Sequence, residues 1–130
     1  MGFDRGVQEY RRQSISTASP LDLVVAVYDG AIQRCHSAKQ AMESGDLDDQ
    51  HRHLIRAQQF VSELIASLEM QKGGQVSQNL FSLYAYCLNQ LTEANVSDDP
   101  KGIDNCLRVL TELRDAWRQI RDQQEVPHAA

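Results

Sequence analysis

The sequence contains few side chains of the kind that bind metals or perform catalysis. His51 and His53 are two residues apart, so on a helix they point to different sides and do not chelate as an i, i+4 pair would. A di-iron helix bundle needs two Glu-x-x-His pairs and two further inward-facing glutamates. Glu125 and His128 form the one such pair here, and Pro127 lies inside it. We therefore predict no bound metal and no cofactor.

Thiol and phosphate chemistry are equally unsupported. Cys35 and His36 are adjacent, which directs them about 100° apart on a helix, and no third group completes a catalytic set. His36 has polar neighbours and is expected to face solvent. Gly73-Gly74 lacks the following Lys-Ser/Thr of a phosphate-binding loop. Cys35, Cys87 and Cys106 fall in apolar helical stripes and are predicted to be reduced core thiols. We predict that the protein is not an enzyme.

Length and charge restrict the remaining classes. A chain of 130 residues is expected to form one domain. Its net charge of −5 and pI near 5.2 argue against nucleic-acid binding, which favours a basic face. No apolar run approaches the length that crosses a membrane, and the N-terminus has no continuous apolar signal region, so we expect a cytoplasmic protein without membrane insertion.

Capping residues divide the chain into four predicted helices. Ser19 and Pro20 begin the first, over 19–44, and Gly45 ends it. Asp46 caps the second, over 46–71; the third covers 76–95, after Gly73-Gly74; Asp99 caps the fourth, over 100–121. Short connections between helices of this length predict an all-α antiparallel up-down four-helix bundle, with a short N-terminal cap segment at 1–18 and a disordered tail at 122–130.

The first helix is apolar on more than one side. Its buried stripe is predicted to comprise Leu21, Val24, Tyr28, Ala31, Cys35, Ala38 and Met42. Leu23 and Val27 project from roughly the opposite side; Gly30 extends this second line and Arg34 ends it. Both apolar sides of such a helix must be buried, and the second side is covered either by the rest of the chain or by another molecule.

Apolar residues also widen the faces of the next two helices. The main face of the third helix is predicted to be Val76, Leu80, Leu83, Tyr84, Cys87 and Leu91. Phe81, Ala85 and Leu88 flank it, and Phe60 lies beside the stripe of the second helix. A groove built from Leu23, Val27, Gly30, Phe60, Phe81, Ala85 and Leu88 would receive an amphipathic or extended peptide.

Gly30 and the N-terminal segment each leave two alternatives open. Glycine inside a helix costs about 1 kcal/mol relative to alanine, so either a partner backbone or a tightly packed bundle helix should approach Gly30. Val7, Tyr10 and Ile15 belong either to a frayed terminus or to a detachable lid over an apolar surface. In the last helix, Asp115 and Arg118 are expected to form an intrahelical pair.

Three blocks of this sequence resemble the FliS family of flagellin export chaperones over about residues 7–120. They are TASPLDLVVAVYDGAI at 17–32, LEMQKGGQVSQNLFSLYAYCLNQLTEAN at 68–95 and LRVLTELRDAW at 107–117, preceded by Tyr10. The match departs mildly from the family pattern where Gln75-Val76-Ser77 replaces Glu-Ile-Ala and where Glu69 replaces Asp.

The resemblance implies a function in bacterial-type flagellum assembly. It implies a cytoplasmic chaperone of type III secretion that binds the disordered C-terminal segment of flagellin in apolar grooves. Such a chaperone prevents premature polymerisation and delivers its client to the cytoplasmic domain of the export gate. It also implies that the N-terminal segment covers part of the groove in the free protein, and a monomer or weak homodimer. The alternatives are a helical-bundle homodimer that pairs through its second apolar face and a metal-carrying bundle with no client peptide.

Overall fold

The computed structural model describes residues 19–125, and this range folds into four α-helices without a strand. The helices are α1 (Pro20–Glu43), α2 (Leu47–Ala66), α3 (Met70–Ser97) and α4 (Lys101–Glu125). Each helix packs on the one before it, and α4 returns to α1. Ion pairs from Lys39 to Asp104 and from Asp29 to Arg114 show that α1 and α4 run antiparallel. The predicted up-down four-helix bundle is confirmed.

The predicted capping residues begin the helices. The Ser19 hydroxyl accepts a hydrogen bond from the Asp22 amide at 3.1 Å, and the Asp22 carboxylate accepts one from the Ser19 amide at 3.1 Å. Asp46 accepts a hydrogen bond from the Asp49 amide at 3.1 Å. Gly45 has a φ of 75°, which glycine adopts without the steric penalty of a side chain.

Three predicted boundaries differ from the structure. Helix α2 ends at Ala66 rather than 71; Ser67 is the C-terminal capping residue, and its hydroxyl donates a hydrogen bond to the Leu64 carbonyl. Gly74 has non-helical backbone angles, φ 54° and ψ −133°, and forms a kink inside α3: a first helical turn begins at Met70, before the predicted start at 76, and the rest of the helix follows the kink. Helix α4 continues to Glu125, beyond the predicted 121. The predicted lid, with Val7, Tyr10 and Ile15, and residues 126–130 lie outside the described residues.

The core lies between all four helices. Its fully enclosed side chains come from each helix and include Tyr28, Cys35, Leu54, Val61, Cys87, Leu91, Ile103, Cys106 and Leu110. The prediction that the three cysteines are free core thiols is confirmed. On α1, Leu21, Val24 and Met42 are only half-buried, whereas Val25 and Ile32, which were not assigned to the predicted stripe, are buried.

Helices α3 and α4 pack tightly against each other at Gly102. A Cβ atom placed on Gly102 would lie 2.2 Å from the Gln90 carbonyl oxygen of α3. Close to this crossing, the Asn105 side-chain amide donates a hydrogen bond to Gln90 Oε1 at 2.9 Å. A glycine is therefore required where the two backbones meet.

Among residues 19–125, no helix is long and apolar enough to cross a membrane.

Candidate functional site

The second apolar line of α1 faces helix α2. A Cβ atom on Gly30 would lie 2.7 Å from Phe60 Cζ, and Arg34 Nη1 lies 3.0 Å from His53 Nδ1. This line therefore lies on the flank beside α2, not opposite the core stripe as predicted. Val27 packs against the core, whereas Leu23, one turn nearer the start of α1, keeps 39% of its surface exposed. We call the boundary between these two helices the α1–α2 groove.

Phe60 explains the glycine at position 30. The ring of Phe60 lies over Gly30 and packs against the core, and the guanidinium of Arg56 lies 5.4 Å from the ring centroid. Of the two explanations left open for Gly30, close packing of two bundle helices is the one that the structure supplies. Any partner in this groove would meet the outer edge of Phe60 rather than the Gly30 backbone alone.

Phe81, Ala85 and Leu88 lie in a different groove, between α2 and α3. They share a flank of α3 with Thr92, whose hydroxyl accepts a hydrogen bond from the Gln58 side-chain amide of α2 at 2.9 Å. Phe81 is 43% exposed, Ala85 is exposed and Leu88 is half-buried. We call this boundary the α2–α3 groove. The seven predicted groove residues therefore lie at two helix boundaries, one on each side of α2, and not at a single one.

The opposite flank of α3 carries apolar residues that the sequence interpretation did not assign to a groove. Val76 and Leu83 were predicted to be core residues, yet Val76 is 67% exposed; Leu83 and Tyr86 are exposed too. Tyr86 faces α4, where it lines a cleft of about 320 Å³ together with Gly102 and Asn105. Ile120 of α4 is also exposed. The apolar arc of α3 is wider than one stripe, which is the sequence signal for this second flank.

Helix α3 is thus the main carrier of exposed apolar surface. Of the ten large apolar side chains exposed among the described residues, six belong to α3: Met70, Val76, Phe81, Leu83, Tyr86 and Val96. Large apolar side chains that stay exposed on one helix are candidate positions for contact with another molecule. Helix α3 therefore offers exposed apolar side chains both on its flank beside α2 and on its flank beside α4.

Aromatic hydroxyls from two helices meet at the centre of the bundle. The Tyr28 and Tyr84 hydroxyls share a hydrogen bond, and Trp117 Nε1 donates a second one to the Tyr28 hydroxyl at 3.3 Å. Next to Tyr28, Asp29 accepts from Arg114 at 3.2 Å and from Arg118 at 3.4 Å. The three sequence blocks that carry the family resemblance therefore meet at one place.

The predicted Asp115–Arg118 pair is absent from this arrangement. Arg118 instead reaches across to Asp29 on α1, and Asp115 pairs with Arg114 at 3.2 Å. A carboxylate on the neighbouring helix offers Arg118 a partner that it shares with Arg114, so the bond between helices replaces the one within α4.

Burial predicts a specific alkaline response of the two buried tyrosines. Burial raises the pKa of Tyr28 and the pKa of Tyr84 above 10.0; the bond to Tyr28 raises that of Tyr84 further. The unfolded chain therefore loses these protons at lower pH than the folded one, and stability should fall as pH rises above about 10. We expect Tyr84→Phe to reduce the slope of the melting temperature against pH between about 9.5 and 11. An unchanged slope would contradict this assignment.

The histidines and cysteines that were considered as metal ligands or catalytic groups bond to neighbouring side chains, lie in the core or face solvent. His51 lies beside Asn95 of α3 at 2.8 Å and His53 beside Arg34 of α1, so they lie on different sides of α2 as predicted. His36 is exposed, as predicted. Hydrogen bonds with the Cys35 and Cys87 thiols, together with burial, raise the pKa of Cys106, which keeps this thiol protonated. Across the described residues, no group of three or more His, Cys, Asp or Glu is arranged to hold a metal ion.

Comparisons with known proteins identify the family. The family model described as "Flagellar protein FliS" matches residues 4–124. The flagellar secretion chaperone FliS of Vibrio cholerae is 34% identical over 118 residues, covering 88% of this chain and 87% of that protein. The FliS chaperone of Bacillus subtilis is 28% identical over 131 residues, covering 100% of this chain and 97% of the relative.

A solved structure agrees on the fold. The crystal structure of a flagellar chaperone from bacteria superposes with a TM-score of 0.75 and 22% identity, covering 91% of this chain and 98% of the other. The FliS chaperone of Salmonella typhimurium is 31% identical over 120 residues. The expectation of a chaperone rather than an enzyme is therefore confirmed by the relatives. The chain belongs to the FliS family of flagellar secretion chaperones.

Proposed function

We propose that this flagellar export chaperone binds the disordered C-terminal segment of flagellin along the apolar surface of α3 and its neighbouring grooves. The observation that carries the proposal is the concentration of exposed large apolar side chains on α3, six of the ten among the described residues. The client segment would lay short amphipathic helices on these side chains, as in other helix-in-groove interactions.

The distribution of the surface favours a client that wraps around the bundle. Phe81 belongs to the α2–α3 groove, Tyr86 faces α4, and Leu23 lies at the end of the α1–α2 groove. These positions lie on different sides of the domain, so one rigid helix could not contact all three. A disordered segment can wrap over a large surface, and the free energy needed to order it keeps the affinity moderate. Moderate affinity suits a complex that must release its client.

The cellular role follows from this mode of binding. The client's apolar stripes would be covered in the cytoplasm, which prevents flagellin from polymerising before export. The complex would then meet the cytoplasmic domain of the export gate. We further propose that the N-terminal segment, through Val7, Tyr10 and Ile15, covers part of the same surface in the free protein. Competition between this lid and the client would lower the apparent affinity.

The direct test is binding of the purified full-length chain to the isolated C-terminal segment of flagellin. We expect a stable complex on co-purification, a gain in helical circular dichroism, and a negative heat-capacity change in calorimetry because apolar surface is buried. The N-terminal segment of flagellin is a matched control that should bind much more weakly. Absence of a complex with the C-terminal segment would refute the proposal.

Self-association is a competing use of the same apolar surface. Light scattering over a range of concentrations should show a monomer or a weak dimer. The flagellin segment should dissociate such a dimer and should leave a monomer unaffected. A tight dimer that persists and does not bind the segment would favour the structural homodimer instead.

A further inference from the structure

Helix α4 is held to the bundle in two different ways along its length. In residues 101–110, Ile103, Cys106 and Leu110 are completely enclosed, and Gly102 packs against the backbone of α3. In residues 111–124, which we call the distal segment, no residue is buried; half-buried Leu113 and Trp117 pack against the core. The distal segment therefore gains much less from apolar burial than the first ten residues of the helix.

Polar contacts with α1 hold the distal segment in place. Asp29 pairs with Arg114 at 3.2 Å and with Arg118 at 3.4 Å, and Asp22 pairs with Arg121 at 3.5 Å. All of these side chains are partly exposed, so salt screens their attraction. A segment with few buried apolar contacts and solvent-accessible ion pairs belongs to the least stable part of a domain.

We infer that the distal segment of α4 opens locally while residues 101–110 remain packed, and that Asp29 controls this equilibrium. Opening would uncover Leu113 and Trp117, together with the part of the core that they cover and the Tyr28 hydroxyl of α1 to which Trp117 is bonded. The apolar surface offered to a client would thereby become larger. The open form is the one that binds the flagellin segment more tightly; this part of the inference rests on the function proposed above.

The first test uses the free protein and needs no client. Hydrogen exchange measured by mass spectrometry should be faster in residues 111–124 than in 101–110 of the wild-type chain. Asp29→Asn should accelerate exchange in the distal segment about fivefold to tenfold, the range expected for loss of partly buried ion pairs. The matched control is Asp104→Asn, which removes the α1–α4 ion pair to Lys39 beside the buried part of α4. This control should leave exchange in the distal segment unchanged.

Two results would overturn local opening. One is equal protection of the two parts of α4 in the wild type; the other is uniform acceleration across the whole bundle in Asp29→Asn. Should Asp29→Asn fail to fold, Arg118→Gln removes one of the two arginine contacts of Asp29 and should show the same localised acceleration, about twofold to threefold.

The second test measures the coupling to client binding. Asp29→Asn should tighten binding of the flagellin C-terminal segment about fivefold, because a larger fraction of the protein is already open. Asp104→Asn should bind like the wild type. Weaker binding by Asp29→Asn, or equal effects of both variants, would overturn the coupling. If the wild type itself does not bind the segment, the proposed function fails, whereas the exchange data still decide whether the segment opens.

Discussion

Replacing Phe81 by aspartate should raise the dissociation constant for the flagellin C-terminal segment by about 30-fold or more, measured by calorimetry. Aromatic side chains at the centre of an interface typically contribute about 2 kcal/mol or more on truncation, and a carboxylate would also be desolvated there. Phe81 is 43% exposed, so the folded chain can hydrate the new charge. The melting temperature should therefore change far less than the affinity.

The matched control is Gln33→Asp, which adds the same charge at an exposed position of α1 outside both grooves beside α2. It should bind the flagellin segment as the wild type does. Val27 is a poorer choice for this experiment, because it packs against the core and an aspartate there would destabilise the bundle itself. Normal binding by a folded Phe81→Asp variant would place the client on the α4-facing flank of α3 or elsewhere.

The second large effect is expected at the crossing of α3 and α4. Gly102→Ala should lower the free energy of unfolding by about 3 kcal/mol, since the added methyl group must displace a helix backbone and not a side chain. The new Cβ would lie 2.2 Å from the Gln90 carbonyl oxygen and 3.2 Å from Ala94 Cβ. For a domain of this size, the melting temperature should fall by about 10 °C in a thermal scan.

Gly30→Ala is the matched control, because both glycines are in helices and gain the same helix propensity. The added methyl group at Gly30 meets the tip of the Phe60 ring, a partly exposed side chain that can shift. We therefore expect a change in stability within about 1 kcal/mol. Equal losses in the two variants would mean that helix α4 can move away from α3 more easily than the contact at Gly102 suggests.

The sequence was most informative where one residue decides a local geometry. Ser19, Asp46 and Gly45 bound the helices as predicted, because caps act through bonds to backbone atoms a few residues away. The break predicted at Gly73-Gly74 is present as a kink at Gly74, but α2 already ends at Ala66 and one helical turn precedes the kink. A glycine with positive φ either ends a helix or kinks it, and the neighbouring turns decide between the two. Here Ser77 bonds back to the Glu69 carbonyl across the turn.

The candidate surface was harder to predict than the bundle. Periodicity identifies which residues share a face, but the position of each neighbouring helix determines whether that face is covered. Leu83 and Val76 fit the core stripe of α3 by spacing, yet they are exposed. Conversely, Val27 and Gly30 looked superfluous to the core of α1, yet Val27 packs against the core and the Phe60 ring of α2 lies over Gly30. The relative placement of helices depends on long-range contacts that no local pattern encodes.

The three buried cysteines make this chain convenient for site-specific labelling. Cys35, Cys87 and Cys106 have no solvent-accessible surface, so a maleimide cannot reach their sulfur atoms while the bundle stays closed. A cysteine introduced on the surface can therefore carry a fluorophore or spin label without removal of the native ones. The slow reaction of the native thiols in turn measures how often the entire domain unfolds.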